Sequence, residues 1–227
     1  MDKYYHPNDS LIAEYAKGTI SPGLGLLVSA HIKQCEECFF KVENLSAREA
    51  QSLKEAQGES PINLDEAFDT LMGEIDEIVE PTLQEEVNPV QTLHVKGQEF
   101  TLPLGLTFAL EKPVNWKEFG KKSCIAPVME TERGNLYFIY LGPGEEIPNH
   151  DHEAVEYSYV VQGCYESQGH FLSTGTFSQF NNGEQHSPRA VSDDGCLVVS
   201  WVEKRLNFFT GVFSPLNKLL WWYLHKA

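Results

Sequence analysis

Basic residues are scarce in this chain of 227: 17 lysines and arginines stand against 33 aspartates and glutamates, a formal net charge of -16. Such a surface repels phosphates, which argues against direct nucleic-acid binding and favours a basic protein partner. Long apolar runs are missing as well. No stretch approaches the roughly 18 apolar residues that cross a bilayer, so no membrane span is expected. The opening MDKYYHPNDS lacks the apolar core of a signal peptide, so the protein is expected in the cytoplasm. Cysteine is limited to five residues, an odd number without a secretion signal, which points to metal binding over a disulfide framework. No internal repeat or low-complexity tract stands out.

The length suits two domains. Residues 1–90 hold 6 basic and 18 acidic residues, net -12, and the remainder is only -4, so the acidity belongs to the front of the chain. Asn8 or Asp9 can cap a first helix through SLIAEYAK, which Gly18 would end. Ser21 and Pro22 read as N-cap and first position of a second helix, on which Leu24, Leu27, His31, Cys35, Cys38 and Val42 form one face. A third pattern, NLDEAFDTLMGEIDEIVE, aligns Leu64, Phe68, Leu71, Ile75 and Ile78 on one stripe, with Asp65, Asp69, Asp76 and Glu80 facing elsewhere. It is an acidic amphipathic helix, with either a plain solvated face or a partner-binding one. EPTLQEEVNPVQ then breaks every periodicity. The expected division is a helical domain over 1–85, a linker over 86–92, a second domain over 93–205 and a tail over 206–227, where SPLNKLLWWYLHKA forms a short amphipathic helix capped by Ser214.

Beyond the linker, short apolar runs alternate with Gly, Pro, Asn and Asp: QTLHV, NLYFIYLG, VEYSYVVQG, GTFSQF and CLVVSWVE. That texture predicts an all-β sandwich or barrel.

Two constellations carry chemistry. On a helix, His31, Cys35 and Cys38 lie four and three residues apart, so one imidazole and two thiolates can converge on an ion. His6, the other histidine of the front part, offers the fourth ligand of a closed tetrahedral zinc site. Such a site is structural, and its metal free energy is also folding free energy. The rival readings are a CEEC dithiol redox pair, which belongs at a helix N-terminus after a strand, and ordinary buried cysteines.

The second lies in NHDHEAVEY, where His150, His152 and Glu156 all fall on even positions and would share one face of a strand. His186, in GTFSQFNNGEQHSP, supplies a fourth candidate. Three imidazoles and a carboxylate suit Zn, Mn, Fe or Ni, and the donor set alone does not choose. The rival reading is a polar strand end with hydrogen-bonded histidines. His94, His170 and His225 lie outside both patterns. Cys124, Cys164 and Cys196 read as small core residues, with a redox role open for Cys164 and Cys196.

H-x3-C-x2-C with an upstream histidine resembles the zinc-containing anti-sigma domain. G-x5-H-x-H-x3-E-x6-G, from Gly144 to Gly163, resembles the first cupin motif, and Gly183 and His186 match the second. There Asn181 replaces the usual proline and Ala190 the usual final asparagine. Together with the HPND opening, the whole chain resembles the ChrR family of anti-sigma factors. That resemblance implies a zinc-binding helical domain that clamps an extracytoplasmic-function sigma factor, followed by a double-stranded β-helix, or jelly-roll, cupin. It also implies release of sigma on singlet oxygen or organic hydroperoxides, with a protease as a further partner, and it favours partner binding by the third helix. A cupin metalloenzyme, a dioxygenase or isomerase, is the alternative. No catalytic acid or base beyond the ligands can be identified, so an enzyme is not expected.

Overall fold

The computed structural model describes residues 5–56, 68–70, 72–73, 91–107, 113–203 and 206–208. Asn8 holds an extended conformation and its side chain accepts the Leu11 N–H at 2.9 Å, which starts helix α1 (Asp9–Ala16). Gly18, with φ +69°, ends the turn after it, as its freedom in the left-handed region allows. Helix α2 (Pro22–Ile32) has proline in its first turn, although the Ser21 side chain makes no capping bond.

The expected continuous helix through Val42 is corrected here. It stops at Ile32, and α3 (Glu36–Ala56) begins after a turn. The charges at the break suit the helix dipoles: Lys33 caps the end of α2, whereas Glu36 and Glu37 open α3, each charge at the end it stabilises. The third sequence pattern lies mostly outside the described residues; 68–70 and 72–73 are helical and exposed. The tail helix capped by Ser214 also lies outside them. No described helix is long and apolar enough to cross a membrane.

The β part starts with the hairpin β1 (Thr92–Val95) and β2 (Gln98–Thr101). It continues as β3 (Lys117–Phe119), β4 (Ser123–Glu130), β5 (Asn135–Leu141), β6 (His150–His152), β7 (Glu156–Gln162), β8 (Cys164–Ser167), β9 (His170–Ser173), β10 (Phe177–Phe180), β11 (Arg189–Ala190), β12 (Cys196–Val202) and β13 (Leu206–Phe208). A six-stranded sheet runs β10-β7-β12-β5-β4-β3, beside a three-stranded sheet β11-β8-β9 and the pair β13-β6. Each apolar run seen in the sequence is a strand of this set: β1, β5, β7, β10 and β12.

Strand β12 is buried along its whole length because both faces of its sheet are covered. Cys196 and Val198 join Leu141, Val160, Tyr165, Leu172 and Phe180 in the core between the six- and three-stranded sheets. The alternate residues Leu197, Val199 and Trp201 join Leu11, Ile12, Leu24, Leu27 and Val28, so the helices lie on the outer face. The helical part and the β-sandwich thus share one apolar cluster. At its centre the Trp201 ring is wedged between two glycines. A Cβ on Gly23 would penetrate the ring, and one on Gly134 would stand 2.7 Å from Cζ2.

Strand β10 is an edge strand, whose outer backbone groups would be open to pairing. The segment before α1 covers it. The Phe177 N–H donates to the Tyr5 carbonyl at 3.4 Å, and the Asn8 amide donates to the Gln179 side-chain oxygen at 2.8 Å.

Two candidate metal centres

The helix break does not scatter the first constellation. The Cys35 N–H donates to the His31 carbonyl at 3.0 Å, and the Phe39 N–H donates to the Cys35 carbonyl at 2.9 Å, so the four-residue step survives across the turn. Cys35 therefore sits immediately before α3 and Cys38 in its first turn. The CEEC pair is at a helix N-terminus after all, although no strand precedes it among the described residues.

His6, His31, Cys35 and Cys38 come together with one donor atom from each within 4.8 Å of all the others. His6 Nδ1 lies 3.4 Å from Cys35 Sγ and 3.5 Å from Cys38 Sγ. Nitrogen and sulfur bound at about 2.0 and 2.3 Å on adjacent corners of a tetrahedron stand about 3.5 Å apart, so the spacing fits zinc. A further observation favours an ion, and another weighs against the redox pair. His31 Nε2 is buried without a hydrogen-bond partner, a costly state for an imidazole nitrogen unless something binds it. Burial and then the neighbouring Cys35 push the Cys38 thiol up to about 12, against the lowered value that a dithiol nucleophile needs. Burial also holds His31 below the usual histidine value, with the Gly175 hydrogen bond opposing it.

The second constellation spans two strands, which corrects the single strand expected from its spacing. His150 and His152 lie on β6 and Glu156 begins β7. Their common parity still places them together, and His186 reaches them from the loop after β10. The His150 N–H donates to the His186 carbonyl at 3.0 Å and the His186 N–H returns the bond at 2.9 Å, pinning the two ligand-bearing segments.

His186 Nε2 stands 2.8 Å from His150 Nε2 and 3.0 Å from His152 Nε2. Glu156 Oε2 lies 2.7 Å from His152 Nε2 and 3.5 Å from His186 Nε2. All four side chains are buried. Three of these separations fall below a tetrahedral edge of about 3.3 Å and match adjacent donors around a higher-coordinate divalent ion. Electrostatics agree. Burial, and then the charge of His152, push His150 down to about 4, leaving it neutral. Burial alone would raise Glu156, but His152, His186 and His150 outweigh it and hold the carboxyl below the usual range. An ionised carboxylate beside converging imidazole nitrogens is a donor set for a cation.

Sequence reasoning missed the groups that orient these donors. His150 Nδ1 lies 2.9 Å from the Pro148 carbonyl; a carbonyl only accepts, so Nε2 is the bare nitrogen. The Ser158 hydroxyl donates to Glu156 Oε1 at 3.0 Å and shares a 2.7 Å bond with the Ser200 hydroxyl on the paired strand. A signal was there. Ser158 and Ser200 are the small polar residues inside the strand-forming runs EYSYVV and CLVVSWV, and a buried hydroxyl must find a partner. His31 has such a group too: its Nδ1 lies 2.9 Å from the Gly175 carbonyl.

The second cupin-like motif tolerates its departures. The Asn181 N–H, which proline would lack, donates to Glu184 Oε2 at 3.1 Å and helps close the turn before His186. Ala190 acts through its backbone, its N–H donating to the Glu145 carbonyl at 2.9 Å. All five cysteines are free. Cys124 and Cys196 are buried, and burial raises both thiols, Cys124 to about 11.

Comparison with known proteins agrees with the order of helices and β-sandwich. A family model described as the ChrR cupin-like domain matches residues 111–203. Over 209 residues, 90% of this chain and 92% of the relative, the sequence is 23% identical to the anti-sigma-E factor ChrR of Cereibacter sphaeroides. A chain of the crystal structure of Rhodobacter sphaeroides SigE in complex with the anti-sigma ChrR superposes with a TM-score of 0.65 at 19% identity, covering 87% of this chain and 98% of that one. Helices followed by a cupin-like β-sandwich are therefore a fold the two have in common.

Proposed function

We propose that this chain, a member of the ChrR family, is an anti-sigma factor that binds and inhibits an extracytoplasmic-function sigma factor. The observation that carries the reading is the presence of two separate four-donor clusters in one chain, one at the junction of helices α2 and α3 and one inside the β-sandwich. Zinc held by His6, His31, Cys35 and Cys38 fixes α2 and α3 in one arrangement. A divalent ion, Zn, Mn, Fe or Ni, held by His150, His152, Glu156 and His186 receives the signal. That signal is oxidative, singlet oxygen or an organic hydroperoxide, and it releases sigma and opens the chain to a protease. Division of labour follows the expected boundaries: 1–85 for sigma, 86–92 as linker, 93–205 for the cupin and 206–227 as a tail. The setting is cytoplasmic, and no catalytic role is assigned.

The surface of α3 supports a protein partner. Phe39 and Phe40 are exposed, 45% and 60%, one turn from the zinc cysteines, and Glu36, Glu37 and Glu43 flank them. Exposed aromatics rimmed by acids suit a partner with a basic rim around an apolar pocket.

Co-purification from cells tests the reading. A sigma factor should be recovered with the full chain and lost with Cys35→Ser or Cys38→Ser, while the cupin stays folded. His150→Ala should retain sigma but lose the response to oxidant. Turnover of a small molecule by the chain with no sigma retained would instead make it a cupin metalloenzyme.

A further inference from the structure

The helical centre is finished by an atom that belongs to the β-sandwich. We infer that the Gly175 carbonyl is the outer partner of His31, so that metal affinity at the helical centre depends on the sandwich being docked against it. The inference rests on the zinc reading of that centre and not on sigma binding.

The 2.9 Å contact from His31 Nδ1 reaches a carbonyl, which has no proton to give, so Nδ1 carries the proton and the buried Nε2 is left as a bare lone pair among His6, Cys35 and Cys38. An imidazole held this way is fixed in tautomer and rotation and is a stronger ligand. The carbonyl itself is aimed by the sandwich. Gly175 occupies the turn between β9 and β10 with φ +85°, its N–H donates to the Val160 carbonyl at 2.9 Å, and the next N–H, on Thr176, donates to the Ser173 carbonyl at 2.9 Å. Both ends of that peptide are therefore set inside the β part, and only its oxygen looks outward.

The same short strand touches the other centre. β10 begins two residues after Gly175 and ends at Phe180, whose ring lies 4.0 Å from that of His186. The Gly183 N–H then donates to the His152 carbonyl at 3.0 Å. Linkage makes the effect mutual: whatever favours docking strengthens the helical centre by the same factor that its metal favours docking.

Cobalt reports on this centre selectively, because thiolate-to-cobalt charge transfer arises at the cysteine-bearing cluster and the cupin cluster has no sulfur. The metal-free full chain, its Gly175→Ala variant and its Gly169→Ala variant would be titrated with cobalt(II). Both glycines have φ near +80°, but Gly169 lies in the β8–β9 turn with open space around an added Cβ, whereas at Gly175 the Cβ would press on Gln34 Oε1 at 3.0 Å. The expected result is cobalt binding about 10- to 100-fold weaker for Gly175→Ala than for Gly169→Ala. Equal affinities would overturn the inference. Should Gly175→Ala not fold, nitrogen-15 spectra of the zinc-loaded wild type decide: a slowly exchanging Nδ1 proton on His31 with Nε2 metal-bound supports it, and Nδ1 bound to zinc sinks it. A wild type without the charge-transfer band would refute the zinc reading itself, an outcome distinct from equal affinities.

Discussion

Ser158 and Ser200 form a two-hydroxyl relay whose end is Glu156 Oε1, and neither is a candidate ligand. Removing the first hydroxyl strands a buried carboxylate oxygen and the Ser200 hydroxyl, so Ser158→Ala should cost about 1–3 kcal/mol of stability. It should also weaken cupin metal binding about tenfold or more, read by competition with a chelator. Wild-type affinity with an intact fold would show that the carboxylate is held by its imidazole neighbours alone. At the surface, Phe40→Ala should leave the melting temperature within the range of ordinary exposed substitutions, about 0.5 kcal/mol, yet weaken sigma binding by about 1–3 kcal/mol in calorimetry. Undiminished binding would move the docking face off the start of α3. The candidate donors of both clusters were legible because each is a side chain with a fixed chemistry. Gly175 was not, since the group that matters there is a carbonyl oxygen and every residue has one.

Among the elements, the instructive departure is the break between α2 and α3. Neither glycine nor proline marks it, so the stripe Leu24, Leu27, His31, Cys35, Cys38, Val42 reads as unbroken. The periodicity misleads because the Cys35 N–H still bonds to the His31 carbonyl, keeping helical spacing through a turn that is no longer helix. Parity worked similarly in the sandwich: β6 and β7 are separate strands, yet His150, His152 and Glu156 converge as one strand would place them. Joining of α2 to the sheet could not be anticipated, because the wedge is made by glycines. Gly23→Ala ought to help a helix by about 0.5–1 kcal/mol. Here the added methyl enters the Trp201 ring, so the expected sign reverses to a loss of about 1–3 kcal/mol by denaturant titration. A stabilised variant would mean that the two parts are not seated as described.

For the molecule as a whole, the acidic front and the metal are opposed tendencies. A net charge of -12 over residues 1–90 resists compaction, and an ion taken up by the helical cluster only in the folded form would offset it. At a free zinc concentration a thousandfold above the dissociation constant, that linkage is worth about 4 kcal/mol. Chelation should therefore lower the melting temperature of the full chain, and Cys38→Ser, which spares the four donors of the cupin cluster, should show only part of that fall. A transition insensitive to chelator would remove the metal from the account of stability. The order of helices before β-sandwich was legible from changes in texture along the chain, whereas the shared apolar cluster was not: alternate residues of β12 serve two different cores, and a fully apolar strand does not say which side meets what.

Trp201 gives that joint an optical consequence. Its indole lies against Gly23 of α2 and against Gly134, with 1% of its surface reaching water. Lifting the helices by even a few ångströms would admit solvent to the ring, and its emission would move to longer wavelength. Read against the chain's other tryptophans, the Trp201 indole is thus an intrinsic fluorescent gauge of whether helices and sheet stay together.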